Sequence, residues 1–187
     1  MTMAQADLST LIKHVLDDIR VEYKDEFDRN FERQAFFTEA WQRRKSPTRP
    51  GGAILIDTGA LRRSFNVTTS ANAIEFSYSK EYAAIHNEGG TIKVTERMKH
   101  YFWHKYYEAQ GGFGRKKNGE RRNDKRTRQL STVAEFWKYM ALKKVGSEIK
   151  IPRRQFVGYS PIVEQTVRQI IEESLTDYFE NFEIITK

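Results

Sequence analysis

Cysteine is absent from the 187 residues of the chain, and proline occurs only 4 times. Without thiols the protein can form neither disulfide bonds nor thiolate metal sites, which fits synthesis in a reducing, intracellular compartment. Two of the prolines, Pro47 and Pro50, occur with Gly51 and Gly52 in the segment RRKSPTRPGG. Because proline and glycine interrupt helices, the helical region that precedes this segment is predicted to end there.

Long apolar stretches are also absent. Nowhere do 18 apolar residues follow one another, so no transmembrane helix is predicted. Asp7, Lys13, Asp17 and Asp18 interrupt the N-terminal segment, so no signal peptide is predicted, and the protein is expected to be soluble when made. Hydrophobic residues still make up 39% of the chain and aromatic residues 13%, which suffices for the core of a single domain over residues 1–187.

The positive charge of the chain is concentrated in one segment. Of the formal net charge of +7, residues 113–129 contribute +6, through eight Lys or Arg against Glu120 and Asp124. The remaining residues therefore sum to only +1. A basic charge confined to one segment is typical of a loop or tail, whereas a nucleic-acid-binding face would distribute it more widely.

Hydrophobic periodicity predicts the order of the secondary-structure elements. Apolar residues at spacings of three and four predict an amphipathic helix from Leu8 to Phe31 and another over residues 161–181. Alternating apolar and β-branched residues predict strands, and further helical periods predict shorter helices. The strands are predicted at residues 65–70, 73–79, 91–95, 149–151 and 182–185, and the shorter helices within residues 80–90, 96–110 and 131–144.

This order of elements predicts an α+β fold. A small, mainly antiparallel sheet is expected to pack against the long N-terminal helix and the C-terminal amphipathic helix. The two aromatic-rich helices are predicted to form an inserted helical hairpin, residues 96–145. The basic tip of the hairpin, residues 113–128, is flanked by glycines and is expected to be mobile.

The segment ILIDTGALRRSF, residues 54–65, interrupts an apolar run with Asp57, Thr58 and Gly59. A phosphate-binding loop would need further glycines and a Lys-Ser/Thr pair, which this segment lacks, so a nucleotide site is not favoured. The preferred interpretation is structural: Asp57 or Thr58 caps a short helix whose Leu61 and Phe65 face the core.

Histidines are the remaining candidates for chemistry. Glu96, His100, His104 and Glu108 recur every four residues and would share one helical stripe, on which two imidazoles could hold a metal. A solvated stripe is preferred, because the glutamate of a zincin motif and a third ligand are both missing. His86 is interpreted as a side chain fixed by backbone carbonyls in a turn, since no nucleophile accompanies it. We predict no catalytic site, metal or cofactor.

The basic tip has two interpretations. Its cations could neutralise phosphates and bind DNA without sequence specificity, with Phe113 stacking on a base. A solvated tip, or an arm that orders on an acidic protein partner, has the same composition and is preferred. The cations are Arg115, Lys116, Lys117, Arg121, Arg122, Lys125, Arg126 and Arg128.

Three short motifs occur in order along the chain: LIDTGALRRS, YAAIHNEGG and IPRRQFVGYS. Together with the terminal helix, they resemble the virion morphogenesis proteins of tailed bacteriophages, also called tail-completion proteins. The resemblance covers about residues 8–181, and the hairpin of residues 96–145 exceeds the usual middle part of that family. The matching positions are Asp57, Thr58, Gly59, Leu61, Ser64, Tyr82, Ala83, His86, Gly89, Gly90, Pro152, Arg154, Phe156 and Gly158.

The resemblance implies a structural role without catalysis. It implies an α+β subunit, made in the bacterial host cytoplasm, that forms a ring with copies of itself at the tail end or neck of a phage or prophage virion. The implied partners are tail-tube or head–tail connector proteins, with neither a membrane nor a small molecule, and DNA binding by the tip is the alternative. Arg153, Arg154 and Phe156, which follow Pro152, are expected to offer a rigid charged and aromatic contact to a neighbour.

Overall fold

A computed structural model describes residues 8–185, with side chains placed up to residue 180. The predicted α+β class is confirmed, and the described strands form three separate two-stranded antiparallel sheets, β1–β2, β3–β4 and β5–β6. The helices are α1 (Leu8–Arg33), α2 (Ala83–Glu88), α3 (Glu96–Gly111), α4 (Lys125–Ala141) and α5 (Pro161–Ile185), with a 3₁₀ helix at Arg62–Ser64. The strands are β1 (Ala35–Phe36), β2 (Glu39–Ala40), β3 (Phe65–Thr69), β4 (Ile74–Tyr78), β5 (Gly90–Lys93) and β6 (Glu148–Ile151).

The chain divides into two compact units. Unit 1 comprises Met1–Trp41, Ala53–Glu88 and Arg154–Lys187, and unit 2 comprises Gln42–Gly52 and Gly89–Arg153. Unit 1 therefore contains α1, α2, α5 and the sheets β1–β2 and β3–β4, whereas unit 2 contains α3, α4 and the sheet β5–β6. The interpretation of the whole chain as one domain stays a prediction.

The apolar stripe of α1 forms much of the core of unit 1. Tyr23, Phe27 and Phe31 are all buried, at spacings of four that place them on one helical face. The β3–β4 hairpin covers this face, and the ring of Phe76 lies edge-on to that of Phe27 at a centroid distance of 5.3 Å. Helix α5 packs along the same core through Val163, whose carbonyl accepts a 2.9 Å hydrogen bond from the Tyr23 hydroxyl.

Unit 2 is built around the helical hairpin of α3 and α4, as predicted. Both helices begin at a side-chain cap: Thr95 accepts a hydrogen bond from Met98 N at 3.2 Å, and Asp124 accepts one from Thr127 N at 2.7 Å. The buried residues of each helix recur every seven positions, and those of α4 are small. They are Phe102 and Ala109 on α3, and Thr127, Ala134 and Ala141 on α4.

Two predictions of secondary structure are wrong. Helix α4 begins at Lys125 rather than at residue 131, because the Asp124 cap starts the helix before its apolar period becomes visible. Three cations of the predicted tip, Lys125, Arg126 and Arg128, therefore lie on the first turns of α4 rather than in a loop. The edge strand predicted at residues 182–185 is the continuation of α5, which reaches Ile185.

Candidate functional site

The three sequence motifs meet in a single hydrophobic cluster of unit 1. Each motif contributes one buried side chain, namely Leu61, Ala83 and Phe156, and the cluster is completed by Phe31 and Trp41. Phe156 and Phe31 are fully buried, and their ring centroids lie 5.2 Å apart. The motifs therefore mark positions where distant parts of the chain pack together, which is a structural use of these residues.

The segment that carries Phe156 is held by hydrogen bonds along its backbone. Arg154 N donates to the carbonyl of His86 at 2.8 Å, and the Trp41 indole N–H donates to the carbonyl of Gln155 at 2.7 Å. Phe156 N donates to the Asn87 side-chain oxygen at 2.9 Å. These bonds pair backbone groups of a segment whose Arg154 and Phe156 side chains are buried, so the segment has one defined position.

Two asparagines complete this arrangement, and the sequence interpretation missed the role of both. The Asn87 oxygen accepts a second bond from Val157 N at 3.2 Å, and the fully buried Asn30 donates from its amide to the carbonyl of Phe156 at 3.2 Å. Asn30 also accepts a bond from Phe37 N at 2.9 Å. A signal was present for Asn30, because it lies on the buried face of α1 between Phe27 and Phe31.

The expectation that Arg154 and Phe156 form a contact with a neighbouring protein is wrong. Phe156 is fully buried, and only 8% of the surface of Arg154 is exposed. The reason is the hydrogen-bonded position of the backbone, which turns the aromatic ring into the core. Of the three residues named for that contact, Arg153 alone is exposed.

The corner at Asp57–Ser64 is held differently from the predicted helix cap. The 3₁₀ helix has Leu61 at its N-cap position and no side-chain cap, while the Thr58 hydroxyl accepts a 3.3 Å bond from Ala60 N. Gly59 has φ +73°, and a Cβ there would lie 2.6 Å from the guanidinium of Arg63. The left-handed φ favours glycine in this turn, whereas the end of the flexible Arg63 side chain can move away. The prediction that Asp57 or Thr58 caps the short helix is wrong.

Neighbouring residues fix the same corner. The Ser64 hydroxyl donates to the carbonyl of Leu61 at 2.7 Å, and the prediction that Leu61 faces the core is confirmed. Arg62 donates to Asp28 and Glu32 of α1, with 2.6 Å between its Nε and an Asp28 oxygen. Hydrogen bonds from Arg62 to Asp28, and secondarily to Glu32, raise the pKa of the Arg62 guanidinium above its usual value. These ion pairs hold the corner against α1.

His86 lies on α2, where its ring faces Tyr82 edge-on at a centroid distance of 6.1 Å. The predicted fixation by backbone carbonyls is wrong for Nδ1, which is buried and has no hydrogen-bond partner within residues 8–180. Burial, and secondarily the nearby charge of Arg154, lower the pKa of the imidazole below its usual value. The ring is therefore held by packing, in its neutral form near pH 7.

Several other motif residues lie directly after or between these elements. Gly89 and Gly90 follow α2 with φ +75° and +149°, as expected of a glycine cap. A Cβ on Gly89 would lie 2.7 Å from the backbone nitrogen of Arg153, so only glycine permits this approach. Pro152 directly follows β6, and Gly158 has φ +123°.

The stripe of Glu96, His100, His104 and Glu108 is solvent-facing. Both histidines are exposed, and Glu108 is paired with Lys105 at 2.6 Å. Among residues 8–180, no group of three or more histidine, aspartate or glutamate side chains is placed to hold a metal. No helix in the described part of the chain is long and apolar enough to cross a membrane.

The basic tip has internal order. Arg115 and Arg121 form an isolated antiparallel bridge, and the guanidinium of Arg121 lies 4.1 Å from the ring centroid of Phe113. Lys116 pairs with Glu120 at 3.0 Å, and Arg115 donates to the carbonyl of Gly119 at 3.1 Å. Within the described residues, five tip cations form no side-chain hydrogen bond or ion pair: Lys117, Arg122, Lys125, Arg126 and Arg128.

The two units carry opposite charge. By sequence, unit 1 contains 19 Asp or Glu against 11 Lys or Arg, a net −8. Unit 2 contains 21 Lys or Arg against 6 Asp or Glu, a net +15. The prediction that positive charge is confined to one segment is therefore too narrow. Unit 2 is basic along its whole length, and the net negative charge of unit 1 cancels about half of its charge in the total of +7.

Several motif residues thus serve packing and turns: Leu61, Ala83 and Phe156 lie in the core, and Gly59, Gly89 and Gly158 have positive φ. Comparison with known protein families matches residues 12–176 to the phage virion morphogenesis family, a match that runs from α1 into α5. The chain belongs to this family, which is a structural and morphogenesis family and not a known enzyme family. No curated protein and no solved structure matches the chain.

Proposed function

We propose that the protein is a structural component of a tailed-phage or prophage virion that forms a ring at the tail end or neck. There it completes the tail and permits the tail to join the head. The partners in this proposal are further copies of the chain and a tail-tube or head–tail connector protein. Membership of the virion morphogenesis family supports the coarser role in building the particle.

The observation that carries the proposal is the meeting of the three motifs in one core. Leu61, Ala83 and Phe156 are buried together, and Asn87 fixes the backbone beside Phe156. None of these groups is presented to a substrate. The commitment of these motif residues to packing, together with the family match, supports a structural role for the subunit.

Electron microscopy of particles tests the proposed function. The gene is deleted from the phage or prophage that encodes it, and heads, tails and joined particles are counted in lysates. We expect unjoined heads with tails that lack their terminal ring, and restoration by the wild-type gene supplied in trans. Joined particles of normal tail length after deletion would contradict the proposal.

Complementation with two variant genes tests whether the motif core is needed in the particle. Phe156→Ala removes a fully buried ring and is expected to fail in restoring particles, whereas Asn72→Ala changes an exposed residue of the β3–β4 turn and should restore them. Equal restoration by both genes would show that the motif core is not needed in the particle.

A second candidate function is non-specific DNA binding by residues 113–128. It is favoured by the tip cations that lack ion pairs, because such groups can replace counterions on phosphates. Binding of a fluorescent duplex should then fall steeply with salt, and Lys117→Gln/Lys125→Gln/Arg128→Gln should reduce the salt slope by about 3. An unchanged slope would remove this candidate.

A further inference from the structure

Helix α5 leaves the later part of its apolar row exposed. Ile171, Leu175 and Phe179 recur every four residues and expose 37%, 37% and 59% of their surfaces. Val163 and Val167 belong to the same four-residue row, and they pack against the core of unit 1. The row is therefore packed on the core near the start of α5 and leaves an exposed stripe from Ile171 to Phe179.

This stripe is surrounded by negative charge. The sequence of α5 contains six Asp or Glu, and its single cation, Arg168, is paired with Glu164 at 2.9 Å. Glu172 and Glu180 are exposed. Glu180 directly follows Phe179, and Glu172 lies two helical turns before it on the same side of the helix. A partner for this face should accordingly combine apolar side chains with positive charge.

Helix α4 has the complementary composition. Tyr139 and Leu142 expose 63% and 64% of their surfaces, and Lys143 lies 4.8 Å from the ring centroid of Tyr139. Arg128 and Lys125 lie at the other end of α4 and form no hydrogen bond or ion pair through their side chains within residues 8–180. The hairpin of unit 2 thus offers exposed apolar groups together with the cations that the α5 stripe lacks.

We propose that the α4 side of the hairpin in one copy binds the exposed stripe of α5, from Ile171 to Phe179, in a second copy. The contact is heterologous, because two different surfaces meet, and repeated contacts of this kind generate rings or open filaments. The inference rests on the proposed ring-forming function and names the surfaces that would form the ring. Duplex DNA satisfies the cations but offers no apolar groove for Tyr139 and Leu142, so the observations favour a copy of the chain.

Reversal of charge on each surface tests the proposal with purified full-length protein. Lys125→Glu/Arg128→Glu changes α4, and it should preserve folding because acidic side chains are favourable in the first turns of a helix. Glu172→Lys/Glu180→Lys changes α5 at exposed positions. The control, Lys13→Glu/Lys24→Glu, makes the same change in net charge as the α4 variant at two exposed positions of α1.

Sedimentation velocity gives the state of association at about 0.1 M and about 1 M salt, between which the Debye length falls from about 10 Å to about 3 Å. The wild-type chain and the α1 control are expected to self-associate at low salt and to dissociate at high salt. Each pair of reversals should weaken self-association at least about tenfold, the size of effect that close charge pairs produce at interfaces. A chain that carries all four reversals should regain association, since attraction between the two surfaces is restored.

Three results would overturn the proposal: a wild-type chain that stays monomeric at low salt, association that ignores salt, or four reversals that do not restore it. If the wild-type chain is monomeric and the α4 variant loses binding to a fluorescent duplex, the hairpin is a nucleic-acid site instead. Failure of the proposed function is seen separately, as normal particles after gene deletion. Self-association of purified protein can hold or fail independently of that count.

Discussion

The two units of the protein bury aromatic side chains to different extents. In unit 1 the rings of Phe31 and Phe156 are fully buried and the backbone around them is fixed by hydrogen bonds. In unit 2 the only buried aromatic residue is Phe102, whereas Tyr101, Tyr107 and Tyr139 each expose half or more of their surface. Unit 1 therefore holds the larger aromatic core, although its Tyr159 and Phe179 expose 69% and 59% of their surfaces, and the units also differ in net charge, −8 against +15.

The largest effect should come from opening the core of unit 1. Phe156→Ala removes a ring with no exposed surface and is expected to lower the free energy of unfolding by about 3–5 kcal/mol. Phe179→Ala, at a ring that exposes 59% of its surface, should change it by less than about 1 kcal/mol. Urea unfolding in about 1 M salt, which suppresses charge-driven association, measures both; similar losses would refute the assignment of Phe156 to the core.

Two glycine substitutions test the close approach of Gly89 to Arg153 in unit 2. Gly89 and Gly119 both have positive φ, but only Gly89 lies against another backbone segment, since a Cβ at Gly119 meets nothing within 4 Å. Gly119→Ala should cost about 1–2 kcal/mol from its left-handed backbone alone. Gly89→Ala should cost about 1–3 kcal/mol more, because the methyl group would overlap Arg153 N. Equal losses in urea unfolding would show that Arg153 moves aside freely.

Removal of the Asn87 side chain tests the hydrogen-bonded segment without touching the core. Asn87→Ala leaves Phe156 N and Val157 N without their acceptor and is expected to lower the free energy of unfolding by about 1–3 kcal/mol. Asn72→Ala, in the exposed turn of the β3–β4 hairpin, serves as the matched control. A loss no larger than that of the control would mean that the two amides find other acceptors.

A smaller effect is expected from replacing basic residues of unit 2. Lys125→Glu/Arg128→Glu replaces cations in the first turns of α4, where the helix dipole is unfavourable to them. The stability of the hairpin should rise by about 0.3–1 kcal/mol per residue at low ionic strength. Urea unfolding at low and high salt measures this, and a decrease in stability would show that these cations support the fold rather than only the surface.

The weakest effect is expected from the protonation of His86. Its pKa is lowered in the folded protein, chiefly by burial, whereas the unfolded value is close to 6.5. The unfolded chain therefore binds more protons below that pH, so stability is intact above about 6.5 and declines as pH falls through the lowered pKa. His86→Gln should flatten this decline in urea unfolding at several pH values. An identical pH profile in the variant would exclude His86 as its source.

Elements with strong periodicity could be predicted from sequence. Helices α1 and α5, the β3–β4 hairpin and the pairing of α3 with α4 are confirmed, because their apolar patterns are local. The onset of α4 was missed, since its first residues, Lys125–Arg128, are charged or polar and only the Asp124 cap marks the start. A cap residue is easily read as part of a polar loop.

The candidate site was less predictable, because it depends on partners far apart in sequence. Asn87 bonds to residues 69 and 70 positions away, and Asn30 to one 126 positions away. Phe156, after Pro152, was expected to contact a neighbouring protein, yet long-range hydrogen bonds determine which way this extended segment faces. The charge of the two units was hidden for a related reason, since opposite sums cancel unless the division of the chain is known.

The hydrogen bond between His86 O and Arg154 N has a consequence for the order of folding. It joins the two ends of the inserted segment Gly89–Arg153, whose own termini lie close together at Gly89 and Arg153. A disordered loop of that length makes closure entropically unfavourable, whereas a segment that has already folded brings its ends together in advance. Early folding of residues 89–153 would therefore lower the entropic cost of placing Phe156 in the core of unit 1.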